Sequence, residues 1–221
     1  MNHALGFSIH PNVFTQPRMS KVIEVLAGAE LVRTKAGARH VMRVPEVRAL
    51  ASDDAMLAIA REYLGPSAFP YRATLFDKSL QANWLVSWHQ DTALPLRERR
   101  DAIGWGPWTM KGDVLHALAP ASALEQIVAL RVHLDDSTLE NGPLRVLPGT
   151  HQSGVLSNPQ IDSEVAHITA LDCVVDAGGV IAMRPLLLHA SSKATSPLPR
   201  RVLHFEYAST QRFASGLELA I

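Results

Sequence analysis

The chain has 221 residues, 47% of them apolar and 19% charged, a balance that suits a folded domain and excludes an intrinsically disordered chain. Twenty-one basic residues offset twenty-one acidic ones, so net charge gives no pull toward nucleic acid or an anionic membrane surface. No apolar run approaches the roughly 20 residues that span a bilayer, Met1 to Gln16 lack a signal pattern, and the lone Cys173 cannot form an internal disulfide, which makes the cytoplasm the expected compartment.

In chain order, Pro17 fits the first turn of a helix whose apolar positions are Met19, Val22, Ile23, Leu26 and Ala29, followed by the Ala36-Gly37 break. Ser52-Asp53-Asp54 can cap a second helix running through Met56, Ile59, Ala60, Tyr63 and Leu64, which Gly65-Pro66 ends. Residues 1–66 are thus expected to be mostly helical, packed on the outside of a sheet. From Phe69 the period changes, and strands are predicted at Tyr71 to Phe76 and at Trp84 to Trp88, the second delivering His89 at its end. Residues 94–124 read as a long connection, a lid or rim over a pocket. Further strands are expected at Ile127 to Leu134, Leu144 to Leu147, Leu171 to Val175, Val180 to Met183 and Val202 to Tyr207. Asn141-Gly142-Pro143 and Pro148-Gly149 are tight turns, and Asp176-Ala177-Gly178-Gly179 looks like a hairpin connection. Ser191 to Pro199 would join neighbouring strands that bring His189 and Arg200 into one pocket.

His89-Gln90-Asp91 and the distant His189 offer two imidazoles and one carboxylate, a set that occupies one face of an octahedral ion and leaves the opposite positions open, as in non-haem Fe(II) oxygenases. His133, His151 and His204 compete with His189 for the third position. Arg200, eleven residues after His189, can pair with a carboxylate through two parallel hydrogen bonds. Arg200 and Arg201 point to opposite faces of an extended chain, so one of them faces inward, and a bulge at Pro199 would exchange them.

The blocks Trp88-His89-Gln90-Asp91, His133-Leu134-Asp135-Asp136, Asn141 through His151, His189-Ala190-Ser191 and Arg200-Arg201 together resemble the phytanoyl-CoA dioxygenase family, over roughly residues 70 to 208. The resemblance implies a mainly β fold with flanking helices, a double-stranded β-helix or jelly roll. It would fill 67–210 of a single 1–221 domain, with 94–124 as a lid insertion. It implies further that His89, Asp91 and His189 bind Fe(II), that Arg200 grips the C5 carboxylate of 2-oxoglutarate, and that Ser191 touches that co-substrate. Lys78 falls near a lysine that contacts co-substrate in some relatives. Arg131 shares a strand face with Ala129 and His133, where some members carry an aromatic co-substrate contact, and is a candidate to face the site. Trp105, Trp108, Lys111 and His116 are candidates to line the substrate pocket, against ordinary packing of a long loop.

The activity implied is a 2-oxoglutarate-dependent oxygenase that uses O2, releases succinate and CO2, hydroxylates an unactivated C–H bond of a small molecule, and is supported by ascorbate. An aspartate at position 91 argues against halogenation, whereas desaturation, epimerisation and ring formation stay open. No coenzyme A module is evident, so an amino acid derivative, an acyl chain or a natural-product scaffold is a better expectation than phytanoyl-CoA. Two other readings compete: a non-enzymatic jelly-roll sensor of 2-oxoglutarate or metal, and a metal hydrolase or isomerase on a similar barrel, which gives Arg200 no task. Oligomeric state is not legible.

Overall fold

The computed structural model describes residues 3–34, 37–79 and 82–221. The amino-terminal part opens with strand β1 (Phe7–His10), followed by helix α1 (Gln16–Gly28). Two short strands, β2 (Arg33–Thr34) and β3 (Gly37–Ala38), lead to α2 (Pro45–Ala51) and α3 (Asp54–Leu64). The Ala36 half of the expected break lies outside the described residues. Pro17 sits in the first turn of α1, and the Asp53 side chain accepts from the Ala55 amide to start α3. The remaining elements are β4 (Phe69–Lys78), β5 (Val86–His89), β6 (Ala93–Leu96), β7 (Trp108–Lys111), β8 (Val114–Leu118), α4 (Ala121–Leu124) and β9 (Ile127–His133). They continue with β10 (Leu144–Val146), α5 (Asn158–His167), β11 (Leu171–Cys173), β12 (Val180–Met183), β13 (His189–Ser191) and β14 (Arg200–Ala208).

A seven-stranded sheet in the order β1-β12-β9-β14-β4-β3-β2 faces a four-stranded sheet in the order β11-β10-β13-β5, with antiparallel pairing throughout. The chain passes between the two sheets after β4, β9, β11, β12 and β13, which makes the pair a jelly roll. Period-two alternation decides what each face of the large sheet meets. Leu75, Leu130, Val132, Leu203, Phe205 and Tyr207 point outward and pack against Met19, Val22, Leu26, Leu50 and Met56 of the three helices. Inward, Ala129, Ile181 and Met183 meet Leu144, Val146 and Leu187 from the small-sheet side. Among the described residues, no helix is long and apolar enough to cross a membrane.

Three expectations need correction. Residues 94–124 are not one long connection but carry a three-stranded sheet, β6-β8-β7, with its own core: Leu94, Leu96 and Leu124 pack on Phe213, Leu217 and Leu219. Pro95 inside β6 and the glycine-rich turn after it hid the strand signal. The segment Asp176-Ala177-Gly178-Gly179 is not a hairpin, because β11 and β12 belong to different sheets. Gly178 takes φ +88 there, and a Cβ would lie 2.0 Å from the Phe14 carbonyl, so this crossing packs against the start of α1 in a space that only glycine fits. Likewise β13 and β14 are not sheet neighbours; the loop between them carries the chain across the sandwich. Sequence reading also missed β1, α2 and α5.

Candidate active site

The sheets enclose a cavity of about 890 Å³, whose lining includes His89, Asp91, His189, Ser191, Arg131 and Arg200. β13 and β5 are neighbours, and their register sets His189 directly across from His89, with the imidazole centroids 4.2 Å apart. Each ring places Nδ1 against the carbonyl two residues earlier: His89 on Ser87 at 2.8 Å, His189 on Leu187 at 2.9 Å. The bond to a carbonyl requires a proton on Nδ1, and so leaves the Nε2 lone pair of both rings free. Asp91 lies just past the end of β5, its amide bonded to the Pro185 carbonyl at 2.9 Å. Its carboxylate oxygens stand 3.8 Å from His89 Nε2 and 3.6 Å from His189 Nε2. One ligand atom from each of the three residues falls within 4.8 Å of the others, a set that could hold a metal ion.

The middle residue of the motif had no assigned task in the sequence and has one here. Gln90 is buried, donates to the Gly154 and Leu186 carbonyls and accepts from the Leu156 amide, which clamps the turn carrying Asp91. Burial alone would raise the Asp91 carboxyl, but the positive charge that faces it, the Arg131 guanidinium at neutral pH joined by the imidazoles only when they are protonated, outweighs it and holds the carboxylate ionised. Burial likewise keeps the His189 imidazole below its usual value and therefore neutral.

Across the cavity, Arg200 opens β14 and is 3% exposed. Its Nε donates to the Asn141 carbonyl at 3.2 Å and its Nη2 to Ser191 Oγ at 3.2 Å, while the buried Nη1 has no partner. Ser191 Oγ donates to the Gly142 carbonyl at 2.8 Å and also accepts from Lys78 Nζ at 2.9 Å. Lys78 does not line the cavity; it stands behind Ser191, with a second bond to the Ser192 carbonyl at 2.6 Å. Arg131 donates Nη1 to His204 Nδ1 at 3.1 Å and leaves its buried Nε without a partner. Burial, reinforced by the neighbouring cations, lowers Arg200 to about 9 and Lys78 to about 8, and burial lowers Arg131 to about 10. Three crowded cations and two orphaned buried donors fit a bound dianion. Arg201, by contrast, is engaged in a bidentate pair with Asp135 at 2.7 Å, so the inward arginine is Arg200 and its neighbour is not merely solvated.

Of the four residues read as pocket lining, Lys111 and His116 line the cavity and Trp105 and Trp108 do not. Trp105 packs on Phe213 with centroids 5.2 Å apart, and Trp108 joins the same apolar cluster. Their side chains fill the core of the β6-β8-β7 sheet, because the large apolar area of an indole gains most where it is covered. Neither His133 nor His151 is in the triad; His133 is fully buried on β9, and His204 is the partner of Arg131. Sequence reading missed a polar wall made by Arg72 and Glu206. Arg72 Nη2 donates to Glu206 at 2.7 Å, with a second bond from its Nε, and Tyr71 OH donates to the same carboxylate at 3.2 Å. His116 Nε2 accepts from Arg72 Nη1 at 3.0 Å. Alternation was the available signal: Arg200, His204 and Glu206 fall on every second or fourth position of β14, and Arg72, Thr74, Phe76 and Lys78 alternate along β4.

The model of the family described as phytanoyl-CoA dioxygenase (PhyH) matches residues 20–202. An L-proline trans-4-hydroxylase of Streptomyces griseoviridis is 27% identical over 179 residues, 69% of this chain and 59% of that protein. The iron/alpha-ketoglutarate-dependent dioxygenase ausU of Aspergillus calidoustus is 31% identical over 104 residues, 46% of this chain and 33% of that one. The chain therefore spans less than two thirds of either curated relative. Among solved structures, HygX from Streptomyces hygroscopicus with nickel, 2-oxoglutarate and hygromycin B bound superposes with a TM-score of 0.69 at 20% identity, covering 95% of this chain and 85% of that one. At that identity the likeness shows the shared jelly-roll fold.

Proposed function

Since the chain belongs to the phytanoyl-CoA dioxygenase family, we propose that it is an Fe(II)- and 2-oxoglutarate-dependent oxygenase that hydroxylates a C–H bond of a small molecule. One observation carries the reading: a His89-Asp91-His189 triad within 4.8 Å shares a cavity with Arg200, whose buried Nη1 has no partner. A hydrolase or isomerase using the same triad would leave that guanidinium without a task. Two relatives support the substrate size, one named for hydroxylation of proline and one solved with hygromycin B bound.

His89 Nε2, His189 Nε2 and the Asp91 carboxylate would hold the iron, with the Nδ1 bonds to Ser87 and Leu187 fixing the ring orientation. Arg200 and Ser191 would hold the distal carboxylate of 2-oxoglutarate, with Lys78 orienting Ser191 from behind and Arg131 adding positive charge nearer Asp91. When bound, the iron supplies the oxidative decarboxylation of 2-oxoglutarate to succinate and CO2 with O2, coupled to oxidation of substrate carbon. The protein's own share is positioning and water exclusion: two sheets close the floor of the cavity, and Gln90 fixes the Asp91 turn.

The test is succinate formation by purified protein given Fe(II), ascorbate, 2-oxoglutarate and a panel of small molecules, read by mass spectrometry. His89→Ala and Asp91→Ala should each lose bound iron and succinate formation together. Full turnover by either variant would refute the ligand assignment.

A further inference from the structure

We propose that the substrate is an organic anion whose carboxylate or phosphate group docks on Lys111 and Arg39. The inference rests on the co-substrate reading above and adds the substrate class.

Seven lysine and arginine side chains line the cavity against three side-chain carboxylates, those of Asp91, Asp113 and Glu206. Bound 2-oxoglutarate answers Arg131 and Arg200, the metal answers Asp91, and Glu206 is committed to Arg72. That leaves Arg39, Arg43, Arg48 and Lys111 with Asp113 and the carboxyl group of Ile221, which also lines the cavity, so the cations remain in excess. Among the described residues, none of these four cations has a carboxylate within ion-pair distance.

Topology concentrates the charge. Ala38 of β3 pairs with Leu75 of β4, so the chain brings Arg39 alongside the stretch of β4 that carries Arg72. Lys111 ends β7 in the β7-β8 hairpin, and that hairpin is tied to Arg72 by the His116 hydrogen bond. Arg39, Arg72 and Lys111 line the same cavity, and burial with the Arg72 and Arg39 charges lowers the Lys111 ammonium against the opposing pull of Asp91 and Glu206. Like charges converging without a counterion are destabilising in the free protein and are relieved by a bound oxyanion. Met42, Phe76, Trp84 and Val114 are among the apolar residues of the lining, suited to an apolar body.

The test is calorimetric titration of the full chain, saturated with Ni(II) and 2-oxoglutarate, using phenyl phosphate, phenylacetate and phenylacetamide as probes. At least one anion should bind ten or more times tighter than the amide, a preference of about 1.4 kcal/mol, and the stronger anion identifies the head group. Lys111→Gln with Arg39→Gln should remove most of the preference, and Lys111→Arg should retain it. Circular dichroism checks that the variants fold. Equal binding of amide and anions, no anion binding at millimolar concentration, or an undiminished preference in the double variant would overturn the proposal. Anion binding that depends on Lys111 and Arg39 in a protein that never binds 2-oxoglutarate would sink the co-substrate reading instead. Binding of 2-oxoglutarate without anion preference would do the reverse.

Discussion

Replacing Arg200 by methionine should stabilise the ligand-free protein and abolish its response to 2-oxoglutarate. Burial beside Arg131 lowers the folded-state value of Arg200 from 12.5 to about 9. At about 1.4 kcal/mol per pH unit this bounds the penalty for the charged form near ~5 kcal/mol. The bonds to Asn141 and Ser191 return roughly 1 kcal/mol each, and methionine keeps much of the apolar volume, so the expected gain is about 2 kcal/mol. For a chain of this size that is a rise in Tm of roughly 4–8 °C. With a divalent metal and 2-oxoglutarate at about a thousand times its Kd, the wild type should gain ~4 kcal/mol and the variant almost nothing. The melting order of the two proteins therefore inverts on adding co-substrate. Differential scanning calorimetry under anaerobic conditions reads both states. An Arg200→Met protein that melts lower than wild type without ligand, yet is still stabilised by 2-oxoglutarate, would refute the reasoning.

Three further outcomes follow from the same geometry. Lys78 is a base whose folded value, about 8, lies below its ordinary 10.5, so its charge opposes folding at neutral pH and the penalty lifts as pH rises through 8. Wild-type stability relative to Lys78→Met should accordingly climb by about 2 kcal/mol between pH ~8 and ~9.5 in urea titrations, and a flat or falling difference would contradict it. Arg201→Ala breaks the partly buried pair with Asp135 and should cost ~1 kcal/mol while leaving the 2-oxoglutarate Kd within about twofold by calorimetry, which separates its role from that of Arg200. Gly142 sits at φ +69, and a Cβ there would lie 2.3 Å from the Ser192 carbonyl and 3.1 Å from Lys78 Nζ. Gly142→Ala should cost about 1–3 kcal/mol in denaturant unfolding and weaken 2-oxoglutarate binding through Ser191, and an unperturbed Kd would argue against that coupling.

The pair His89 and Asp91 was legible from spacing and strand character, and His189 was singled out from three other histidines through its interval to Arg200 in the family resemblance. His89 ends a strand with an aromatic and branched sequence, and Asp91 sits two residues on, in the turn. Alternation required only that one of Arg200 and Arg201 face inward, the interval from His189 in the family resemblance pointed to Arg200, and the structure seats the two on opposite faces as alternation requires. Trp105 and Trp108 misled, because an indole amid glycine and proline reads equally well as a pocket wall or as the core of a small sheet. What decided between them was the carboxy-terminal segment: Leu217 and Leu219 cover that core from a hundred residues away. Lys111 was named from the sequence, whereas Arg39 was invisible there, since only the pairing of β3 with β4 brings it to the cavity that Lys111 also lines.

The two histidines of the proposed metal triad and the arginine belong to opposite leaves of the sandwich, and sheets packed face to face sit about 10 Å apart. The gap between a head chelated at the proposed metal site and a tail anchored on Arg200 would therefore be a packing thickness, maintained by side chains such as Val146, Ile181 and Met183, none of which lines the cavity. Swelling or thinning that layer should act as a caliper on the co-substrate, shifting preference along the series from four-carbon to six-carbon 2-oxo diacids without altering a single group that contacts them.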